Sequence, residues 1–146
     1  MIENTSSHFP EKLTVKDFFQ NDAADVYLYD QFAVVEVKEG VTLSYASGFT
    51  LLVKGLKLYG NQPWIYVSNR INSYAVVPTD YKYLNKVPTL KGLVIVSPEK
   101  SKVNNAHLEK AFFKKPFKIV SNLEEAYEWG KQVLETKSRD KIEVIE

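Results

Sequence analysis

Three short apolar runs stand out along the second half of the chain: "PWIYVS", ending at Ser68, "KGLVIVS" at Lys91 to Ser97, and "FKIV" at Phe117 to Val120. A continuous apolar run of this length, with no alternation, is the signature of a strand buried on both faces. The patterns between these runs are helical. One starts at Pro78-Thr79-Asp80 and runs to about Lys86; a second carries Leu108, Ala111 and Phe112 and is stopped by Pro116. A third follows the last strand. In it Asn122 is the expected N-cap, Glu124 and Glu125 oppose the helix dipole, and Leu123, Ala126, Tyr127, Gly130 and Leu134 form the apolar face.

The first half reads differently. Val26-Tyr27-Leu28-Tyr29 and Phe32 to Val37 are separated only by Asp30-Gln31, which predicts an antiparallel hairpin. Asp-Gln is not a preferred type I′ pair, so the expected turn is one residue longer, and "KEGV" at Lys38 to Val41 ends the second strand. From Ser44 to Tyr59 the period becomes helical, with Tyr45, Phe49, Leu52, Val53 and Leu56 on one face. Thr42 or Ser44 can cap its start, and Gly60 occupies the place of a left-handed C′ residue. "LTVKDFF" from Leu13 suggests a short edge segment.

The order is therefore hairpin, helix, strand, helix, strand, helix, strand, helix. Strands alternating with helices imply an α/β fold with a mainly parallel sheet, here with an antiparallel edge from the hairpin and helices packed on the sheet. The expected organisation is a loosely ordered N-terminus over residues 1–12, one domain over 13–135, and a charged tail over 136–146 in which "IEVIE" either frays or adds an edge strand.

The hairpin followed by βα units resembles the STAS and SpoIIAA-like family. "FKIVSNLEEAYEWGKQVL" is similar to that family's closing strand and helix. "VEVKEGV" together with "SNRINSYAVVPTDY" resembles a bacterial subgroup of small STAS-like proteins. The resemblance covers roughly Val26 to Leu134. It implies a fold; an activity does not follow from a fold. Anti-sigma-factor antagonists of the family carry a phosphorylatable Ser in an Asp-x-Ser-Gly-like setting at the start of the helix after the third strand. By position Ser73 or Thr79 stands there in this chain, without the glycine and the acidic partner.

Composition narrows the chemistry. The 146 residues suffice for one domain with a core of its own. Nineteen basic residues against eighteen acidic ones leave a net charge of +1, and the one basic-aromatic stretch, "KAFFKKPFK", reads as the end of a helix running into a strand. Nucleic acid is accordingly not an expected partner. The chain has no cysteine, which removes disulfides, thiolate metal sites and cysteine nucleophiles. "MIENTSSHFPEK" lacks the regions of a signal peptide, and no apolar run nears the roughly 18 residues that span a bilayer, so a cytoplasmic protein without membrane insertion is expected. His8 and His107 show no metal-ligand spacing, and no glycine-rich phosphate loop is present, so no metal or cofactor is expected.

One stretch is polar out of proportion to its surroundings. "SNRINSY" follows the "WIYV" strand directly, and the carboxyl ends of parallel strands are where α/β sheets place ligands. Ser68, Asn69, Arg70, Asn72, Ser73 and Tyr74, with Thr79 and Asp80 at the following helix start, form the candidate binding rim. Arg70 offers a fork of donors suited to carboxylate or phosphate, or to an acid of the chain itself. Asn and Ser equally serve as turn and capping residues. Ser73 and Thr79 are the candidate phosphorylation sites.

Three functions fit. The first is a non-enzymatic STAS-like module that binds a protein partner or a small ligand at the rim, with a regulatory role. The second is a small hydrolase using the rim's polar groups; a Ser73, His107 and Asp80 triad can be drawn on paper, with no nucleophile elbow to support it. The third is a homodimeric interaction module.

Overall fold

The computed structural model describes residues 9, 14–44, 48, 53, 55–72, 74–99 and 103–145, with backbone alone for 103–105 and 137–145. Six strands form one sheet: β1 (Asp17–Gln20), β2 (Ala24–Leu28), β3 (Phe32–Val37), β5 (Trp64–Asn69), β7 (Leu90–Val96) and β8 (Phe117–Val120). Their order in space is their order in sequence. β1, β2 and β3 pair antiparallel, and β3, β5, β7 and β8 pair parallel. Two further strands, β4 (Thr42–Leu43) and β6 (Ala75–Val76), make a separate parallel pair. The helices are α1 (helical residues 55–59), α2 (Tyr81–Asn85, entered through a 3-10 turn at Pro78–Asp80), α3 (Val103–Lys110) and α4 (Leu123–Ile145).

The sheet is apolar on both faces because its central strands carry continuous rather than alternating hydrophobicity. On one face Ala33, Val35, Trp64, Leu93 and Ile95 meet Tyr59 of α1, Tyr81 and Leu84 of α2, and Ala106 of α3. On the other face Phe32, Val34, Ile65, Val67 and Val94 meet Ala126 and Tyr127 of α4. Three helices thus share one face, and among the described helices only α4 covers the other. Phe9 belongs to the α4 side, where its ring packs against Tyr29, Phe32 and Tyr127. It falls within the stretch the sequence suggests as loosely ordered, and it is buried.

Local chemistry accounts for the element ends. Tyr29 N–H donates to Phe32 O at 2.8 Å, closing the β2–β3 hairpin on Asp30 and Gln31. No described non-glycine residue has positive φ, so this turn is not of the primed type, in keeping with its sequence. Gly60 ends α1 at φ 61°, the left-handed cap its position predicts. Asn122 Oδ1 accepts from Glu125 N–H at 2.9 Å, and Glu125 Oε1 accepts from Ser121 N–H at 2.9 Å, so two backbone donors at the start of α4 are satisfied reciprocally.

Three readings need correction or extension. α3 does not present Leu108, Ala111 and Phe112 to the core: Leu108 is 67% exposed and Phe112 39% exposed, while Ala106, Glu109 and Phe113 are buried. An acid occupies the inward face of this helix, so the apolar pattern points the wrong way. α4 runs on to Ile145, taking in the stretch expected as a charged tail. The expected α1 face at Tyr45, Phe49 and Leu52 lies outside the described residues.

α4 lies close to the sheet where it has no side chain. A Cβ on Gly130 would collide with the Phe32 ring. Gly130→Leu is therefore expected to lower stability by about 2 kcal/mol, within the usual range for overpacking. Combining it with Phe32→Ala should recover part of the interaction in a double-mutant cycle measured by urea unfolding.

Candidate functional site

The polar stretch after "WIYV" leaves the carboxyl end of β5, and the pleat of that strand divides it. Alternate residues face opposite sides. Ser68 shares the α1–α3 face with Trp64 and Tyr66, whereas Asn69 points to the α4 face and donates from Nδ2 to Glu36 Oε2 at 2.8 Å. The two are buried neighbours in sequence that never share a site.

On the α1–α3 face the groups converge on Arg70. Its guanidinium donates twice to Glu109 of α3, Nη1 to Oε2 and Nη2 to Oε1, both at 2.6 Å. Arg70 Nε donates to Ser68 Oγ at 3.1 Å, and Ser68 Oγ lies 3.0 Å from the Tyr74 hydroxyl. Arg70 also lies over the Tyr74 ring, 5.4 Å from its centroid. Tyr81 of α2 donates its hydroxyl to Glu109 Oε1. One carboxylate thus receives a bidentate guanidinium and a phenol, a charge-assisted arrangement among the strongest that side chains make. The side chains of Arg70 and Glu109 are 16% and 6% exposed.

Burial and charge set the protonation states. Burial works against the Arg70 charge, but the Glu109 hydrogen bond and the surrounding tyrosines more than offset it, and the guanidinium is held more firmly protonated than usual. Burial pushes Tyr66, Tyr74 and Tyr81 up, with the Glu109 charge adding to the effect and Arg70 opposing it. These phenols are hydrogen-bonding groups in their neutral form, and none is poised as a nucleophile or base near neutral pH.

The remaining candidates serve as ties. Asn72 Nδ2 donates to Val37 O at 3.0 Å, fastening the loop after β5 to the end of β3. Ala75 N–H donates to Val41 O at 2.9 Å beside the β4–β6 pair, so the same loop is held again a few residues on. Thr79 is exposed in the 3-10 turn, and Asp80 is half-buried beside it. Ser73 lies outside the described residues, and with it the paper triad; His107 is exposed on α3. Among the described residues no buried side-chain polar atom lacks a partner. The rim is therefore a closed network, with Arg70 engaged by an acid of the chain itself. Glu109 is the member that sequence reasoning missed. A lone acid between His107 and Lys110 reads as solvent-facing, and only the buried Ala106 and Phe113 at helical spacing on either side could have marked its face.

Behind this network lies a cavity of about 90 Å³. Its walls are Leu28 and Val35 from the sheet, Leu43 and Val76 from the β4–β6 pair, and Tyr59 and Leu84 from the helices. Tyr66 and Tyr81 line it as well, and Tyr81 belongs to both the polar network and the cavity. Among the described residues no group of three or more His, Cys, Asp or Glu could hold a metal ion, and no helix is long and apolar enough to cross a membrane. Comparison with protein-family models, with curated proteins and with solved structures gave no match.

Removing Glu109 alone strands the Arg70 charge, which should cost about 3–5 kcal/mol in Glu109→Ala. The double variant Arg70→Met with Glu109→Leu should recover most of that loss in equilibrium urea unfolding. Alkali supplies a second check. Tyrosines whose folded pKa is raised contribute stability that is intact below about pH 10, the unfolded value, and fades as pH rises beyond it. A 295 nm titration should show the buried Tyr59, Tyr66, Tyr74 and Tyr81 ionising only with unfolding.

Proposed function

We propose that this chain is a non-enzymatic, STAS-like binding module whose ligand is a small apolar molecule held between the sheet and α1 and α2. The observation that carries this reading is the apolar cavity, which adjoins a polar network in which no buried side-chain polar atom among the described residues lacks a partner. Polar side chains that are satisfied by one another favour positioning over turnover. An apolar void loses packing contacts that a ligand can restore, and an engineered apolar cavity of about 150 Å³ is known to bind benzene. At roughly half that size or a little more, this cavity suits a ligand of a few carbon atoms, or a ring after a small movement of α1.

The cavity also offers a route from ligand to surface. A ligand touching Tyr66 and Tyr81 presses on the phenol that donates to Glu109, and thereby on the attachment of α3. The module would then read a small apolar molecule and report it through α3 to a protein partner. Exposed Thr79 fits a phosphorylation-controlled version of the same module, since a phosphate there adds about −1.5 to −2 charges beside the 3-10 turn.

The test is thermal unfolding with benzene, toluene and indole. A ligand at about 100 times its Kd adds about 2.7 kcal/mol, a shift of several degrees. Ala33→Leu extends a side chain into the cavity and should abolish the shift while the protein still folds. Equal shifts in both proteins, or none in either, would contradict the proposal. So would detection of a polar molecule in the native protein by mass measurement before and after denaturation.

A further inference from the structure

The sheet ends at β8, and its outer edge is open among the described residues, since β8 pairs with β7 alone. In a parallel ladder, alternate residues direct both their N–H and C=O to the neighbouring strand. Leu93 N–H donates to Pro116 O at 3.0 Å and Ser97 N–H to Val120 O at 2.9 Å, which fixes the alternation. Lys118 and Val120 therefore face β7 with their backbone groups. Phe117 and Ile119 direct theirs outward, ready to pair with a further strand.

That edge runs along a groove of about 330 Å³. Five consecutive residues, Phe117 to Ser121, line one side, and His107 and Lys110 of α3 stand opposite. A wall of consecutive strand residues matches an extended chain better than a compact molecule. The lining carries two lysines, while the Glu125 carboxylate is held on the Ser121 N–H at one end. Lys110, Lys118 and His107 are all exposed, and none makes an ion pair among the described residues. Glu109, the acid on this part of α3, is spent on Arg70. Lys118 on the strand and Lys110 on α3 thus flank this edge.

The geometry points to β8 as a docking edge at which an acidic, extended segment of another protein adds as a further strand, with α3 as the opposite wall. Backbone pairing with Phe117 and Ile119 supplies the affinity, and the two lysines select for carboxylates on the incoming chain. This surface is separate from the apolar cavity, and its test does not depend on the ligand proposed above. α3 joins the two: one flank holds the Arg70 pair and the other forms the groove wall.

The experiment uses the full chain and short fluorescein-labelled peptides, read by fluorescence anisotropy and by amide hydrogen exchange. An alternating valine–glutamate peptide should bind saturably. A version with proline at alternate positions, which keeps the charge and loses backbone donors, should bind at least about tenfold more weakly. A valine–lysine peptide should not bind. Lys110→Glu with Lys118→Glu should weaken the acidic peptide by about tenfold or more, and these exposed positions leave folding intact. In the free protein the Phe117 and Ile119 amides should exchange quickly and those of Lys118 and Val120 slowly; the acidic peptide should slow the first pair. Equal binding of the proline peptide, or no slowing at Phe117 and Ile119, overturns the proposal. Protection of the same two amides by concentration-dependent self-association would also overturn it, assigning the edge to a second copy of this chain.

Discussion

The Arg70–Glu109 ion pair is the interaction on which the working end of this protein depends. Two charges drawn largely out of water carry a desolvation cost of several kcal/mol each, and only good geometry and further hydrogen bonds offset it. Here the geometry is bidentate, and Tyr81 adds a phenol donor. The pair joins the carboxyl end of β5 to α3, Tyr81 brings in α2, and Ser68 with Tyr74 brings in the segment leading to β6. Elements distant in sequence are thus fixed at one point. Because Arg70 meets its acid within the chain, the rim is a brace, with the apolar cavity behind it.

The two faces of the sheet divide the labour. The α4 face is closed by apolar contact: Phe32, Ile65 and Val94 against Ala126 and Tyr127, with glycine at the closest approach. The opposite face is covered by α1, α2 and α3 and by the two-residue β4 and β6 strands. It contains the cavity and the buried charges. Short elements bury less apolar surface each, so this face has the smaller reserve against local opening. The ligand-binding role proposed above draws on that arrangement. α3 is central to it, anchored by Ala106, Glu109 and Phe113 while its other flank borders the β8 edge.

How much of this was legible in the sequence follows from the range of each signal. β5 and β7 announce themselves because a strand buried on both faces is apolar without interruption, whereas β8, read in the same way, is an edge strand with Lys118 exposed. The start of α4 and the Gly60 cap are legible because capping chemistry is local. The polar stretch does leave the end of β5, but strand alternation separates Asn69 from Ser68, and a stretch polar at five of its six positions hides that division. Glu109 was illegible because its partner is 39 positions away, and an acid in a helix reads as solvent-facing until the fold brings its counter-ion. The same acid misdirected the reading of α3, whose exposed Leu108 and Phe112 look like a core face. β4 and β6, with two residues each, are too short to leave a periodic trace.

The most direct measurement is residue-resolved amide hydrogen exchange on the wild type and on Arg70→Gln. If the ion pair is the brace described, the amides of Ala106 to Lys110 in α3 should lose protection strongly, while those of α4 from Ala126 to Leu134 keep theirs. Protection that falls evenly over both helices, or that stays unchanged in α3, would contradict it: the pair would then be one contributor to global stability among many, or a contact without consequence.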